Sequence, residues 1–393
     1  MPQELINHNP DLKRLKDEGY AVAIVNDCLL LYEIPYVTSD KQIRYGTLVS
    51  DLTSIAGNIT NSPITQHVAY WEGELPCNKD GSLISGIHSG SQDIQMGGII
   101  VNHSFSNKPT EGYKDYFHKM SNYATIISAQ AKALDRTVTE KPFKDINTPS
   151  IESVFNYPDT NISRGQISTI TQKLEGQKIA IVGLGGTGSY ILDLIAKTVV
   201  QEIHLFDQDV LLNHNAYRSP GAPVLEKLTE ANKKTNYFQS IYSNMHKNIH
   251  SHPYNVTAEK LEELSGMDIV FIAIDKGVAK KQIIDHLIAK EIPFIDAGIG
   301  LLTADDSLLG HVRVTTITKE KKDHIEKRIS VAEKTAADAY VTNIQVADLN
   351  ALSATLAVIK WKKLFGFYQD LSKEFNTIYS INDGKLFNDD YIA

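Results

Sequence analysis

The chain has 393 residues, well beyond the ~150 of one typical domain, so two domains are expected, and 42% hydrophobic against 22% charged residues is an ordinary globular balance. With 39 Lys and Arg against 47 Asp and Glu, the formal charge of -8 opposes non-specific attraction to a phosphate backbone and sets nucleic acid aside as a partner. Two cysteines, Cys28 and Cys77, cannot build a disulfide framework or a four-cysteine zinc site, and neither a signal peptide nor an apolar run of ~18 residues occurs, so the expected address is a reducing cytoplasm without a membrane span.

Residues 21–36, AVAIVNDCLLLYEIPY, read as two apolar strands around a turn at Asn26 and Asp27, with shorter strand-like pieces near 66–72 and 98–105. Tyr116, Met120, Tyr123, Ile126 and Ile127 recur at helical spacing and predict a helix that closes a first, strand-rich α+β domain over 1–140. Residues 141–162, with Pro142, Pro149 and Pro158 among polar residues, have the composition of a linker. The second domain is placed at 163–393.

From residue 178 the pattern changes. KIAIVGLGGTGSYILDLIAKTV gives a buried strand, a glycine turn and an apolar helix, and EIHLFDQDVL gives the next strand. DIVFIAID, the helical KGVAKKQIIDHLIAKE and the strand PFIDAGIG continue the alternation, which predicts an α/β, doubly wound, Rossmann-like and mostly parallel sheet. DLNALSATLAVIKWKKL, apolar on most faces, reads as a helix packed on that sheet.

Gly183, Gly185, Gly186 and Gly188 form G-x-G-G-x-G between the first strand and its helix, where backbone N–H groups and the helix N-terminus can receive a phosphate. Asp207 ends the next strand, where a carboxylate can accept hydrogen bonds from ribose hydroxyls. These features alone leave NAD and ATP tied. The run D-Q-D-V-L-L-N-H-N-A-Y-R then crowds Asp209, Asn215 and Arg218 onto the same site, which hydride transfer does not require.

In this run the chain resembles the ThiF/MoeB and ubiquitin-activating enzyme superfamily, whose D-x-D-x-V-x-x-S-N-L-x-R-Q is matched in register at Asp207, Asp209, Asn215 and Arg218, with His214 and Ser219 in place of the usual serine and glutamine. S-R-G-Q-I around Arg164 resembles the family's Y-x-R-Q-I with one extra residue, and K-T-N-Y-F-Q resembles its K-x-E-x-A segment. The resemblance covers about 160–365. It implies ATP and Mg²⁺ as cofactors, Arg164 as a finger reaching the partner subunit's ATP in a homodimer, and Lys234, with Lys233 competing, as the lysine near the phosphates. It also makes Asp275 a magnesium ligand. The implied reaction is attack of a carboxylate on the α-phosphorus of ATP, with Arg164, Arg218, Lys234 and Asp275 as the catalytic set.

The chain departs from the family in having no paired C-x-x-C motifs and no cysteine after Cys77. The crossover-like region at 312–345 offers Thr316, Thr318, Ser330, Thr335 and Thr342 instead, with His324 near Ser330 as a base. Release of an acyl adenylate, an oxyester on one of these hydroxyls and a thioester on Cys77 all remain open. The segments HVAYWEGELPCNKDG and VNHSFSNKP resemble an uncharacterised domain that precedes ThiF-like domains in bacterial ubiquitin-like conjugation operons. That implies a ubiquitin-like protein as substrate, a ubiquitin-conjugating-like protein as a further partner, and a setting in antiphage defence. A peptide-modifying adenylyltransferase of the microcin-maturing type is the rival. Cys77, between Pro76 and Asn78, is expected in an exposed loop, His67, His88 and His103 are too widely spaced for a metal site, and His246, His250 and His252 are expected at a solvated helix end.

Overall fold

A computed structural model describes residues 2–146, 153–165, 167–275, 277–331 and 344–391. The chain divides into two compact units, Met1–Thr169 and Ile170–Ala393.

In the first unit the helices α1 (Pro2–His8) and α2 (Pro10–Asp17) precede the strands β1 (Ala21–Val25), β2 (Cys28–Val37), β3 (Ile43–Asp51), β4 (Ile55–Ala56), β5 (Ile59–Thr60), β6 (Val68–Glu72), β7 (His88–Met96) and β8 (Ile99–Ser106), and the helix α3 (Tyr116–Leu134) follows. Six of the strands form an antiparallel sheet in the order β1-β2-β3-β6-β8-β7. The β1–β2 turn falls at Asn26 and Asp27, both with positive φ, the requirement of a tight two-residue hairpin. The apolar run of β2 is explained by burial on both faces. Leu29 and Leu31 enter the main core with Leu12, Trp71, Phe105 and Tyr123, whereas Cys28 and Leu30 pack with Val49, Met96 and Val101. Strand β7, HSGSQDIQM, was not legible as a strand because it is a polar, largely solvent-facing edge.

The link to the second unit contains the short helices α4 (Thr160–Gly165) and α5 (Ser168–Thr171). The second unit then follows as β9 (Lys178–Val182), α6 (Gly186–Ile195), β10 (Glu202–Phe206), α7 (Asn213–Ala216), α8 (Leu225–Thr229), α9 (Lys234–Tyr242), β11 (Ile249–His252), β12 (Ile269–Ile272), α10 (Gly277–Ala289), β13 (Phe294–Ala304), β14 (Ser307–Ile317), α11 (Ile325–Arg328), α12 (Ala347–Leu364), β15 (Asn376–Ser380) and β16 (Lys385–Asp389). Its sheet runs β11-β10-β9-β12-β13-β14-β15-β16, parallel from β11 to β13 and antiparallel beyond. Alternation in β9 explains its two covered faces: Ile179 and Ile181 join α6 and Trp361 of α12, and Ala180 and Val182 join Ile283 and Leu287 of α10. The sequence predicted this doubly wound core, and the antiparallel extension β14–β16 is additional. Strand order reverses direction between β9 and β12, so their carboxyl ends flank a crevice. Among the described residues no helix is long and apolar enough to cross a membrane.

Candidate functional site

The crevice is a cleft of about 440 Å³. Its floor is the turn after β9, where each glycine answers a different steric demand. Gly183 has φ of +93°, and a Cβ there would meet the Ala273 carbonyl oxygen at 2.6 Å. At Gly188 a Cβ would stand 1.8 Å from the Gly183 carbonyl oxygen, so the helix can approach the turn only without a side chain. Gly185, the N-cap of α6, has no atom within 4 Å of an added Cβ, which leaves the N-terminus of a ten-residue helix open to the cleft.

The Asp207 carboxylate, nine-tenths buried, accepts from the Leu184 N–H at 2.7 Å and from the Asp209 N–H at 2.8 Å, so it ties the glycine turn to the loop after β10. Lys234, only 5% exposed, donates to Asp209 Oδ2 at 2.9 Å and lies 3.5 Å from Asp207 Oδ2. Of the two adjacent lysines, Lys234 lines the cleft, while Lys233 Nζ donates to the Gln208 carbonyl. Arg218 also lines the cleft; burial pulls its guanidinium below the usual range, the Asp275 charge opposes this, and its Nε is buried without a hydrogen-bond partner. Asp275, past the end of β12, lines the same cleft.

Gly183, Gly185, Gly186, Asp207, Asp209, Arg218, Lys234 and Asp275 therefore share one cleft. Gly188 and Asn215 stand behind it. Asn215 Oδ1 accepts from the Leu212 N–H at 2.9 Å and its carbonyl from the Arg218 N–H at 3.1 Å, so it shapes the turn that presents Arg218. Arg164 falls in α4, and its side chain lies outside the described residues.

A second charged group has, as a set, no local signature in the sequence. Lys280, Arg313 and His311 also line the cleft, and fully buried Asp296 pairs with Lys280 and, at 2.6 Å, with Arg313 NH2. The available signal was the aspartate inside the otherwise apolar strand PFIDAGIG, since a charge in a buried strand needs partners.

Several expectations are corrected. Cys77 is 5% exposed rather than in an open loop: its N–H donates to the Val37 carbonyl, its thiol to the Leu75 carbonyl, and burial pushes the thiol pKa up. Thr316 is buried, and its carbonyl accepts from Nε2 of buried His324; Ser330, by contrast, is exposed and lines the cleft. Thr335 and Thr342 lie outside the described residues. His88 and His103 are brought together by the β7–β8 hairpin, each hydrogen-bonded to Ser91. His246, His250 and His252 are not on one helix. His246 is buried against the Val200 carbonyl, whereas His250 and His252 belong to β11.

A glycine-turn cleft at the switch point of a doubly wound sheet, rich in lysine, arginine and aspartate, defines a nucleotide-type site. Residues 160–382 match the ThiF family, more than half of the chain, and the protein belongs to that family. Residues 10–160 match a domain of unknown function, DUF6791. No curated relative matches. Among solved structures, E. coli MccB with MccA-N7isoASN is 16% identical, covering 58% of this chain and 70% of that one at a TM-score of 0.48. E. coli MccB with ATP is also 16% identical, covering 57% and 67% at 0.45. Selenomethionine PaaA is 17% identical, covering 79% and 99% at 0.48.

Proposed function

We propose that the protein is an ATP-dependent adenylyltransferase that activates the C-terminal carboxylate of a ubiquitin-like protein. The observation that carries this reading is the convergence of Asp207, Asp209, Arg218, Lys234 and Asp275 on one cleft with an open glycine turn. The donor set fits ATP: phosphates would face the α6 N-terminus, Arg218 and Lys234, ribose hydroxyls would meet Asp207, and Phe206, Val256 and Ile283 supply an apolar wall for the base. The unpartnered Arg218 Nε supports an anionic occupant. Asp275 would hold Mg²⁺, which supplies charge neutralisation on the phosphates.

A carboxylate is already a competent nucleophile, so no protein nucleophile is required. Its oxygen attacks the α-phosphorus, the bond to the bridging oxygen breaks, and pyrophosphate leaves with the electron pair. Lys234 and Arg218 hold the phosphates and offset the charge that accumulates on them. Arg164 would act from the partner subunit of a homodimer. The buried, hard-to-ionise Cys77 is a poor acyl acceptor. Hand-off of the acyl adenylate to a ubiquitin-conjugating-like protein, or an oxyester on Ser330, remains.

A second reading, a peptide-modifying enzyme of the microcin-maturing type, is favoured by one observation: Cys28 and Cys77 both precede the ThiF match, which holds no cysteine. ATP–pyrophosphate exchange with a ubiquitin-like protein from the same source separates the two. Exchange that needs both that protein and Asp275, with loss in Asp275→Ala, supports the first reading. Exchange that occurs with short peptides and not with the ubiquitin-like protein supports the second.

A further inference from the structure

Glu202 and His204 alternate on one face of β10, and β11 runs parallel beside it with His204 opposite His250 and Phe206 opposite His252. The pleat therefore gathers one carboxylate and three imidazoles on the same face of the sheet edge. One ligand-type atom from each of Glu202, His204 and His250 lies within 4.8 Å of the others. A tetrahedral zinc ion with bonds of ~2.0–2.2 Å needs its ligands only ~3.4 Å apart, within reach of small side-chain rotations. The His204 and His250 rings stack with centroids 4.7 Å apart.

The hydrogen bonds behind this trio are directional. Tyr254 OH donates to Glu263 Oε2 at 2.7 Å, so its oxygen accepts from His252 Nδ1 at 2.9 Å. With both rings neutral, His252 Nε2 accepts from His204 Nδ1 at 3.0 Å, which leaves a lone pair on His204 Nε2. That lone pair faces the Glu202 Oε2 carboxylate oxygen at 3.1 Å. Two acceptors at that distance require a cation between them, either a proton or a metal ion. Glu202 Oε1 is engaged separately by Lys178 at 2.9 Å, which leaves Oε2 as the ligand atom.

We propose that Glu202, His204 and His250 form a binding site for a divalent transition-metal ion of the zinc class, with water as the fourth ligand. His252, Tyr254 and Glu263 form the outer chain that fixes the His204 ring, as metal-bound histidines require. Two histidines and one carboxylate suit zinc, copper or nickel better than magnesium or calcium. The site lies outside the cleft and is independent of the proposed adenylation.

The test uses the full chain, stripped with chelator and titrated with zinc alone by calorimetry, with cobalt as a spectroscopic probe of tetrahedral geometry. The wild type is expected to bind one zinc that His250→Ala loses; His250 is exposed, so this variant keeps the fold, and comparing the two subtracts zinc held elsewhere. His252→Ala is expected to weaken binding about 10–100-fold through the outer chain. Lys178→Met is expected to tighten binding, because a competing cation leaves Glu202. Equal zinc affinity in wild type and His250→Ala, or no zinc binding with a folded wild type, overturns the proposal and leaves a proton as the shared cation.

Discussion

Lys234 Nζ lies 2.9 Å from Asp209 Oδ2, and the backbone ties the same pair together, since the Lys234 N–H donates to the Asp209 carbonyl at 3.0 Å. The ammonium is thereby buried at the cleft wall with two carboxylates, Asp207 and Asp209, as its neighbours. A cation held this rigidly needs little reorganisation when phosphate charge develops beside it. Lys233, one residue away, is turned onto the Gln208 carbonyl.

Replacing the two lysines in turn separates them. Lys234→Met is expected to lower ATP–pyrophosphate exchange by about 10²–10³-fold, the cost of removing one well-placed electrostatic group. Lys233→Met should leave the rate nearly unchanged. Equal loss in both variants would reject the assignment of Lys234.

The glycine turn yields a contrast between fold and ligand. Gly188→Ala puts a methyl 1.8 Å from a backbone oxygen, so thermal unfolding should reveal a loss of about 3 kcal/mol or more. Gly185 has φ of -73° and open space around a Cβ, so Gly185→Ala should fold normally. Its methyl stands where the phosphates are proposed to lie, and the expected result is a KM for ATP raised at least tenfold with an unchanged Tm. An unchanged KM would place the phosphates elsewhere.

These predictions rest on residues the sequence disclosed, and the reason is physical. Asp207 and Asp209 sit at a strand end and in the run just after it, where the local pattern disclosed them, whereas Lys234 was singled out by the resemblance of K-T-N-Y-F-Q to the family's lysine segment, with Lys233 competing. The Lys280–Asp296–Arg313 group comes from α10, β13 and β14 and is assembled only by tertiary packing and sheet pairing, in which Asp296 lies opposite Thr315 and two residues before Gly298, the partner of Arg313. The histidines failed for the same reason. Spacing of four between His246 and His250 resembles a helix, but His250 finds His204 through parallel pairing across 46 residues of chain, a relationship that no local pattern carries. In the first unit, β3 and β7 were missed because glycine and exposed polar residues mask their alternation, whereas the apolar β1–β2 hairpin was plain.

The buried charge group also has a measurable cost. Asp296→Asn leaves Lys280 and Arg313 facing each other without their shared counter-charge, and about 3–5 kcal/mol of stability should be lost. Adding Lys280→Met should recover part of it, because one unpaired cation is removed. A double variant no more stable than Asp296→Asn alone would show that the charges are not coupled.

The last prediction concerns pH and the first unit. Lys119 of α3 is fully buried, and its ammonium donates to Ser50 Oγ at 2.8 Å. Burial holds its pKa down at about 8, with the Asp51 charge pulling the other way. Below pH 8 the folded and unfolded chains both carry the proton, so this group adds no pH dependence. Between pH 8 and the unfolded value near 10.5 the unfolded chain keeps a proton that the folded chain has released, and stability rises by up to about 3 kcal/mol. Lys119→Met cannot release that proton, so its stability relative to wild type should stay level from pH 7 to about pH 8 and then fall up to pH 10. Urea unfolding followed by Trp71 fluorescence in a Trp361→Phe background reads the first unit, because these are the two tryptophans of the chain. A gap between the two proteins that stays constant across that range would mean that Lys119 titrates alike in both states, and that its burial carries no electrostatic cost.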